Sequence, residues 1–188
     1  SIAAQRFKWA ASQAYYYPAG YGWDYMALYE VFDPARFSRE HMENALTPRM
    51  VVSNSIRMDG LNDYHYYPLQ FRDNFPGKRH DGGVVMEQLA VAEGDENTFI
   101  AWYNDAYFPA ACARSGVRKG AFMRFEQHGQ LVDATPAHNF VATFHIENAD
   151  AVDAWRSDSL LRECALINQA ALAVTCWEPV TSRITEDE

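Results

Sequence analysis

Titratable side chains interrupt apolar strands in both halves of this 188-residue chain, and they could carry acid–base chemistry. Glu30 lies in the apolar run YMALYEVF. Burial of a carboxylate there would be costly unless it were paired, and it would raise the pKa toward the range of a general acid or base. His145 lies in the second-half run NFVATFHI, and His138 precedes that run. We therefore predict a proton-transfer site that draws on Glu30, His138 and His145.

A helix predicted over 95–113 adds two further catalytic candidates, Asp105 and Tyr107. If the end of this helix borders a cavity, Tyr107 could donate a hydrogen bond to a substrate oxygen. Arg124, on the strand predicted to follow, would suit a substrate carboxylate because a guanidinium binds it in a bidentate manner. The aromatic residues expected to contact substrate are Tyr25, Tyr29, Trp102 and Trp177.

Each candidate also has a purely structural explanation. Glu30 could lie at a strand edge or pair with an arginine, and Tyr107 could cap or pack its helix. His145 could be a satisfied or exposed histidine, and Arg124 a solvated strand charge. The 11 Tyr, 11 Phe and 5 Trp fit either strand packing or a cavity lined by rings. Both faces of 25–32 are largely apolar, so alternation does not decide whether Glu30 or Tyr29 points inward.

Composition argues against several classes of function. The net charge is -9 and no basic run exceeds two residues, which disfavours nucleic-acid and anionic-membrane partners. Cys112, Cys164 and Cys176 match neither a disulfide framework nor a zinc spacing, and we expect a reducing cytoplasm. No signal peptide, long apolar span or metal motif is present, so we expect no metal and no cofactor.

The elements that would position these residues fall into two similar halves. In the first half, strands are predicted over 7–17 and 25–32, a helix over 36–46, and an edge strand over 64–71 that Pro68 weakens. In the second half, strands are predicted over 84–91, 117–126, 139–146 and 174–179. Helices are predicted over 95–113, 149–157 and 160–171.

The second half therefore shows the order β-α-β-β-α-β, which is the ferredoxin-like unit. The first half repeats that order without its opening strand and helix, and we expect the chain to start inside the first unit. The predicted division is a first ferredoxin-like unit over 1–73, a linker over 74–83 that is rich in Gly, and a second unit over 84–188.

The segment WYNDAYFP, Trp102 to Pro109, resembles the WYDEEHxP helix signature of the EthD-like branch of the dimeric α/β-barrel superfamily. The segment ALYEV followed by Asp33-Pro34 is similar to the third-strand pattern of the same families. The signature usually carries His at the position of Tyr107, so a mechanism built on that His does not carry over unchanged.

The resemblance implies an α+β fold of two tandem ferredoxin-like units packed sheet to sheet, with a cavity between the sheets and a possible homodimer. It implies a cofactor-independent lyase of the decarboxylase, dehydratase or cyclase type, acting by acid–base chemistry on a small aromatic or polyketide-like substrate. The alternatives are a cofactor-free monooxygenase of the same superfamily and a non-catalytic small-molecule-binding or stress protein.

Overall fold

The structure, a computed structural model, describes the backbone of a defined part of the chain. The described residues are 2–9, 25–31, 64–76, 82–127, 135–147, 149–156, 158–180 and 184–185. Two sequence predictions, the helix over 36–46 and the strand residues 10–17, lie outside them. The side chains of Tyr25, Tyr29 and Glu30 also lie outside what is described.

The second half of the chain forms a ferredoxin-like sheet. Its strands are β4 (Val84–Leu89), β5 (Val117–Phe125), β6 (Phe140–Ile146) and β7 (Ala173–Pro179). They lie side by side in the order β7-β4-β6-β5, and each neighbouring pair is antiparallel. This order is the one that a split β-α-β unit produces. The first helical connection leaves space for β6 between β4 and β5, and the second takes the chain to the other side of β4.

Strands from the first half extend this sheet at both ends. They are β1 (Ile2–Trp9), β2 (Tyr25–Val31) and β3 (Tyr66–Asp73). β1 pairs with β2 and β7, and β3 pairs with β5. A short strand β8 (Ile184–Thr185) pairs with β1, so the described residues form one eight-stranded sheet. The predicted α+β fold of two ferredoxin-like copies is thus confirmed, and the copies are joined through shared strand pairs.

One long helical segment, helix 96–112, lies between β4 and β5. It consists of α1 (Glu96–Trp102), a π-helical turn (Tyr103–Tyr107) and α2 (Phe108–Cys112). The connection from β6 to β7 contains a 3₁₀ turn (Ala149–Val152) and two short helices, α3 (Asp153–Arg156) and α4 (Leu160–Glu163).

The two faces of the sheet are covered differently. Val85 and Leu89 of β4 belong to a large core that also contains Phe99 and Tyr103 of helix 96–112. The alternate residues of β4 face the other way, because successive strand residues point to opposite sides. Val84 packs there with Trp177, and the half-buried Met26, Leu28 and Met86 pack against that pair. We call these two sides the helix face and the inner face.

Helix 96–112 packs tightly against β5 at Gly120. A Cβ atom built there would lie 2.5 Å from Cys112 Sγ and 3.2 Å from the ring of Phe108. The chain can turn from the helix into β5 because Gly116 adopts a φ of +80°, which side chains other than that of glycine rarely permit. Both glycines therefore serve to bring the helix end onto the sheet.

Two of the predicted element boundaries were wrong. The first strand begins at Ile2 rather than at Phe7. Its first residues are held by pairing with β2 and β8, and this pairing cannot be read from the alanines at 3 and 4. The helix predicted over 160–171 ends at Glu163, where Gln169 Nε2 donates to the carbonyls of Leu161 and Cys164.

Helix 96–112 continues through Pro109 to Cys112, close to the predicted range 95–113. Pro68 was also placed correctly by the sequence, on an edge strand. It sits in β3, at the end of the sheet order, where the register with β5 shifts between Pro68 and Gln70.

The division into 1–73, 74–83 and 84–188 stays a prediction, and residues 77–81 of the proposed linker lie outside the described part. Of the helices that the structure describes, none has the length and apolar character needed to cross a lipid bilayer.

Candidate functional site

A carboxylate is buried between the sheet and helix 96–112. Glu87 of β4 has 0% exposure and points to the helix face between Val85 and Leu89. Its two oxygens accept three hydrogen bonds: Oε2 from the Tyr103 hydroxyl at 2.5 Å, and Oε1 from the Tyr107 hydroxyl at 2.7 Å. Oε1 also accepts from the Trp155 indole nitrogen at 2.7 Å. We call Glu87, Tyr103, Tyr107 and Trp155 the Glu87 cluster.

The π-helical turn sets both tyrosines against Glu87. Tyr103 and Tyr107 are the first and last residues of the turn, and the Phe108 N–H reaches back five residues to the Tyr103 carbonyl. The wider turn keeps residues four apart nearly in line along the helix, so both hydroxyls reach the same carboxylate. Pro109 follows directly and has no N–H for a regular α-helical bond to residue 105. The sequence thus favours a wide turn at this place, and such turns recur at functional sites.

Arg114 closes the cluster on the side where the helix ends. Its guanidinium carbon lies 4.4 Å from the Trp155 ring centroid and 5.5 Å from that of Tyr107. It also forms an ion pair with Asp158, and both side chains are 13% exposed. A cation over these two rings increases the polarity of the site without contacting the carboxylate directly.

The electrostatics of the cluster favour neutral groups. Burial raises the pKa of Glu87 above its ordinary value, while the three hydrogen bonds and the charge of Arg114 act in the opposite direction. Burial, followed by the nearby charge of Glu87, raises the pKa of Tyr103 well above its ordinary value. Tyr103 therefore remains a hydrogen-bond donor, and Glu87 is the acidic group of the cluster, with a pKa that burial raises.

Aromatic rings enclose the cluster on the remaining sides. Tyr103 stacks on Phe122 of β5 with ring centroids 4.1 Å apart, and Trp155 lies 5.3 Å from Phe144 of β6. Further rings that pack around Tyr103 are Phe99 and Phe108. A carboxylate in such surroundings is shielded from water, so its interactions with nearby dipoles are strong.

The structure brings together two of the residues predicted from the sequence. The Tyr107 and Trp102 rings stack at 5.7 Å, with Trp102 half-buried at the outside of the cluster. Asp105 lies in the same π-helical turn but is exposed. Asp105 therefore does not face Glu87, whereas Tyr107 donates to it.

His145 lies on the opposite side of the sheet from Tyr107. Phe144 and Ile146 belong to the core on the helix face, so His145 between them points to the inner face. It is buried and stands directly opposite Lys119 of β5, which in turn stands opposite Asp73 of β3. The structure thus separates His145 from Tyr107 and aligns it with two other titratable residues.

The other predicted residues occupy separate places. His138 is buried, its Nε2 lies 2.7 Å from the Ala171 carbonyl, and burial lowers its pKa. Arg124 is half-buried and donates from Nη2 to Glu126 Oε1 at 2.9 Å. Trp177 is buried on the inner face and donates to Thr175 Oγ1 at 2.8 Å. These three residues do not contact the Glu87 cluster.

Sequence reasoning missed Glu87, Tyr103, Arg114 and Trp155, although a signal for Glu87 was present. Glu87 interrupts the apolar run VVMEQLAV in the way that Glu30 interrupts YMALYEVF. The spacing of four between Tyr103 and Tyr107 is also visible in the sequence. Trp155 gave no such signal, because it is 68 residues from Glu87 and reaches it only through the fold.

Nothing in the described part of the chain forms a cluster of three or more metal-ligating side chains. None of the three cysteines there forms a disulfide, and burial raises the pKa of the Cys112 and Cys176 thiols to about 11. These thiols therefore remain protonated at neutral pH.

Comparisons with known proteins inform the fold. No protein-family model and no curated protein sequence matches this chain. A major regulator of staphylococcal pathogenesis has a similar structure, with a TM-score of 0.50 and 8% identity, over 96% of this chain and 99% of that chain. The heme-degrading enzyme LmHde from Listeria monocytogenes aligns with a TM-score of 0.47 and 10% identity, over 94% and 98%. At 8% identity, the first of these similarities bears on the fold alone, without an EthD-like assignment or an activity.

Proposed function

We propose that this protein is a small-molecule enzyme that works by proton transfer, with Glu87 as its general acid and base. The observation that carries the proposal is the fully buried Glu87 carboxylate, held by three neutral donors and surrounded by rings. A raised pKa brings a carboxylic acid toward the pH at which it can both give and take a proton. If Glu87 only held these elements together, a glutamine side chain could serve at a lower desolvation cost, because its amide is neutral.

Tyr107 is proposed as the link between Glu87 and the substrate. Its hydroxyl contacts Glu87, and its ring lies beneath Arg114 at the outer edge of the cluster. Local opening at the end of helix 96–112 would admit a substrate to this hydroxyl. The reaction class that suits such a site is the cofactor-independent lyase chemistry expected from the EthD-like signature, on an aromatic or polyketide-like compound.

The inner face provides a second candidate site. Asp73, Lys119 and His145 are direct neighbours on three adjacent strands, and Lys119 is only 6% exposed. A lysine and a histidine buried side by side could also perform acid–base chemistry, as the sequence suggested for His145. The two candidate sites lie on opposite faces and can be tested separately.

Proton exchange in deuterated water tests the proposal without knowledge of the product. Aromatic carboxylic acids and polyketide-like phenols are incubated with the protein, and proton NMR follows exchange or loss of their C–H signals. For a compound that the wild type processes, Glu87→Gln should lower the rate by about a hundredfold or more. Asp105→Asn, a change at an exposed residue of the same turn, serves as the matched control.

The proposal fails if Glu87→Gln retains the wild-type rate. If His145→Ala abolishes exchange while Glu87→Gln does not, the chemistry belongs to the inner face. Binding of the same compounds without exchange or loss would favour the alternative of a non-catalytic binding protein.

A further inference from the structure

An open cleft of about 340 Å³ lies beside the Glu87 cluster, where helix 96–112 ends and β5 begins. Its wall includes three arginines, which are Arg72 of β3, Arg114 after the helix and Arg118 of β5. Among the described residues of this wall, Glu147 is the one carboxylate. Three guanidinium groups around one cleft are unexpected in a chain whose net charge is -9.

The frame of this cleft is fixed by Asn74. Its Nδ2 donates to the carbonyls of Cys112 at 2.9 Å and Val117 at 3.0 Å, and its backbone N–H donates to the Arg118 carbonyl at 2.9 Å. Its Oδ1 accepts from Arg72 Nε at 3.0 Å. One side chain therefore ties the end of β3, the end of the helix and the start of β5 together.

The three arginines keep donors available for a ligand. Among the residues that the structure describes, no carboxylate forms an ion pair with Arg72, whose side chain is exposed. Arg118 pairs with Glu147, but both side chains are partly exposed, and such pairs contribute little. Arg114 Nη1 is buried and has no hydrogen-bond partner within the described part of the chain. Buried donors of this kind are rare and call for an explanation.

An aromatic ring stands beside the charges. Phe75 is 37% exposed and lies under Arg118, whose guanidinium carbon is 4.1 Å from the ring centroid. The cleft therefore combines flat cationic groups with an apolar surface. Its volume is within the range of small-molecule sites.

We infer that this cleft binds the anionic group, a carboxylate or a phosphate, of a small aromatic ligand. The anion lies between Arg72 and Arg118 and displaces Glu147 from Arg118, while the aromatic part points toward Arg114 and the rings beneath it. Guanidinium groups bind planar carboxylates and phosphates through paired hydrogen bonds, which gives both charge and orientation. The further step, that this ligand is the substrate of the Glu87 reaction, rests on the proposed function. Anion binding by the cleft is tested independently of it.

Titration of the ¹⁵N-labelled protein with benzoate, phenyl phosphate and the neutral benzyl alcohol tests the site. The amides of Ser115 and Gly116, which line the cleft, report on binding. Benzoate or phenyl phosphate should shift these signals, and whichever binds more tightly identifies the anion. Benzyl alcohol should bind at least about tenfold more weakly, since hydrogen bonds to charged groups are the stronger ones.

Arg72→Gln and Arg118→Gln should each raise the dissociation constant by roughly tenfold. Arg124→Gln is the matched control, because Arg124 is also on β5 but does not line the cleft. Equal binding of benzyl alcohol, or equal effects of all three substitutions, would overturn the inference. Glu87→Gln should keep anion binding while it loses proton exchange, which separates failure of the cleft from failure of the proposed reaction.

Discussion

The indole N–H of Trp155 donates to the Glu87 carboxylate across 2.7 Å, and this contact joins the connection that follows β6 to the first strand of the same unit. Both residues are buried, and the Glu87 carboxylate also accepts hydrogen bonds from Tyr103 and Tyr107 of helix 96–112. One side chain of the sheet thus holds two separate helical elements.

We expect Glu87→Ala to be strongly destabilising. It would leave the donors of Tyr103, Tyr107 and Trp155 without their acceptor in a buried site. Each unsatisfied buried donor costs about 1–3 kcal/mol, so a loss of roughly 3 kcal/mol or more is expected in urea unfolding. Glu87→Gln keeps the size and one acceptor oxygen, and its loss should be clearly smaller. Equal losses for the two substitutions would mean that the hydrogen bonds do not hold the helices.

The stability should depend on pH through Glu87. Its folded-state pKa lies above the ordinary value of 4.5, so the folded protein retains a proton that the unfolded chain releases. The contribution of this proton to the free energy of unfolding is therefore fully present below pH 4.5. It is lost as the pH rises through the folded-state pKa of Glu87. Unfolding free energies of the wild type minus those of Glu87→Gln should fall across this window and then level off. A difference that does not vary with pH would show that the pKa is not raised.

His138 should produce the opposite trend. Burial lowers its folded pKa below the ordinary 6.5, so its stabilising contribution is present above pH 6.5 and is lost as the pH falls through the folded pKa. NMR titration of the ring should give a midpoint below 6.5. His138→Gln keeps a donor for the Ala171 carbonyl and removes the titration, so it should flatten this part of the stability profile. A midpoint at or above 6.5 would contradict the prediction.

Gly120→Ala should cost about 1–3 kcal/mol, because the added methyl group would overlap Cys112 Sγ at 2.5 Å. The second substitution Cys112→Ala removes that sulfur. In a double-mutant cycle, the cost of Gly120→Ala should therefore be smaller in the Cys112→Ala background. Strict additivity of the two changes would show that the helix does not approach β5 this closely.

Much of the fold could be predicted because local patterns and tertiary packing agree. Burial alternates along β4 from Val85 and along the middle of β5, whereas β6 is buried throughout. Pro68 was correctly placed on an edge strand. β1 was misplaced because Ala3 and Ala4 carry no hydrophobic pattern, and its position depends on pairing with distant strands. Local sequence contains no information about such partners.

The candidate site was predicted only in part. Tyr107 was singled out, but His145, another catalytic candidate, points to the opposite face of the sheet. Alternation alone does not say which side of β6 meets the helices. Glu87, like Glu30, is a carboxylate inside an apolar strand. Its place in the candidate site depends on hydrogen bonds from Tyr103 and Trp155, which lie on other elements of the fold. Convergence of this kind is a property of the folded chain.

In the described part of the chain, the two seams between the copies differ in their number of residue pairs. Within the described part of the chain, β3 meets β5 through seven residue pairs, whereas β1 meets β7 through three and β8 through two. Among the described residues, fewer residue pairs hold the second seam, and they are divided between β7 and the two-residue strand β8. Local opening should therefore start there, and the amide protons at this seam should exchange with solvent sooner than those of β5. The copies would separate first along β1, while β3 and β5 still hold them together.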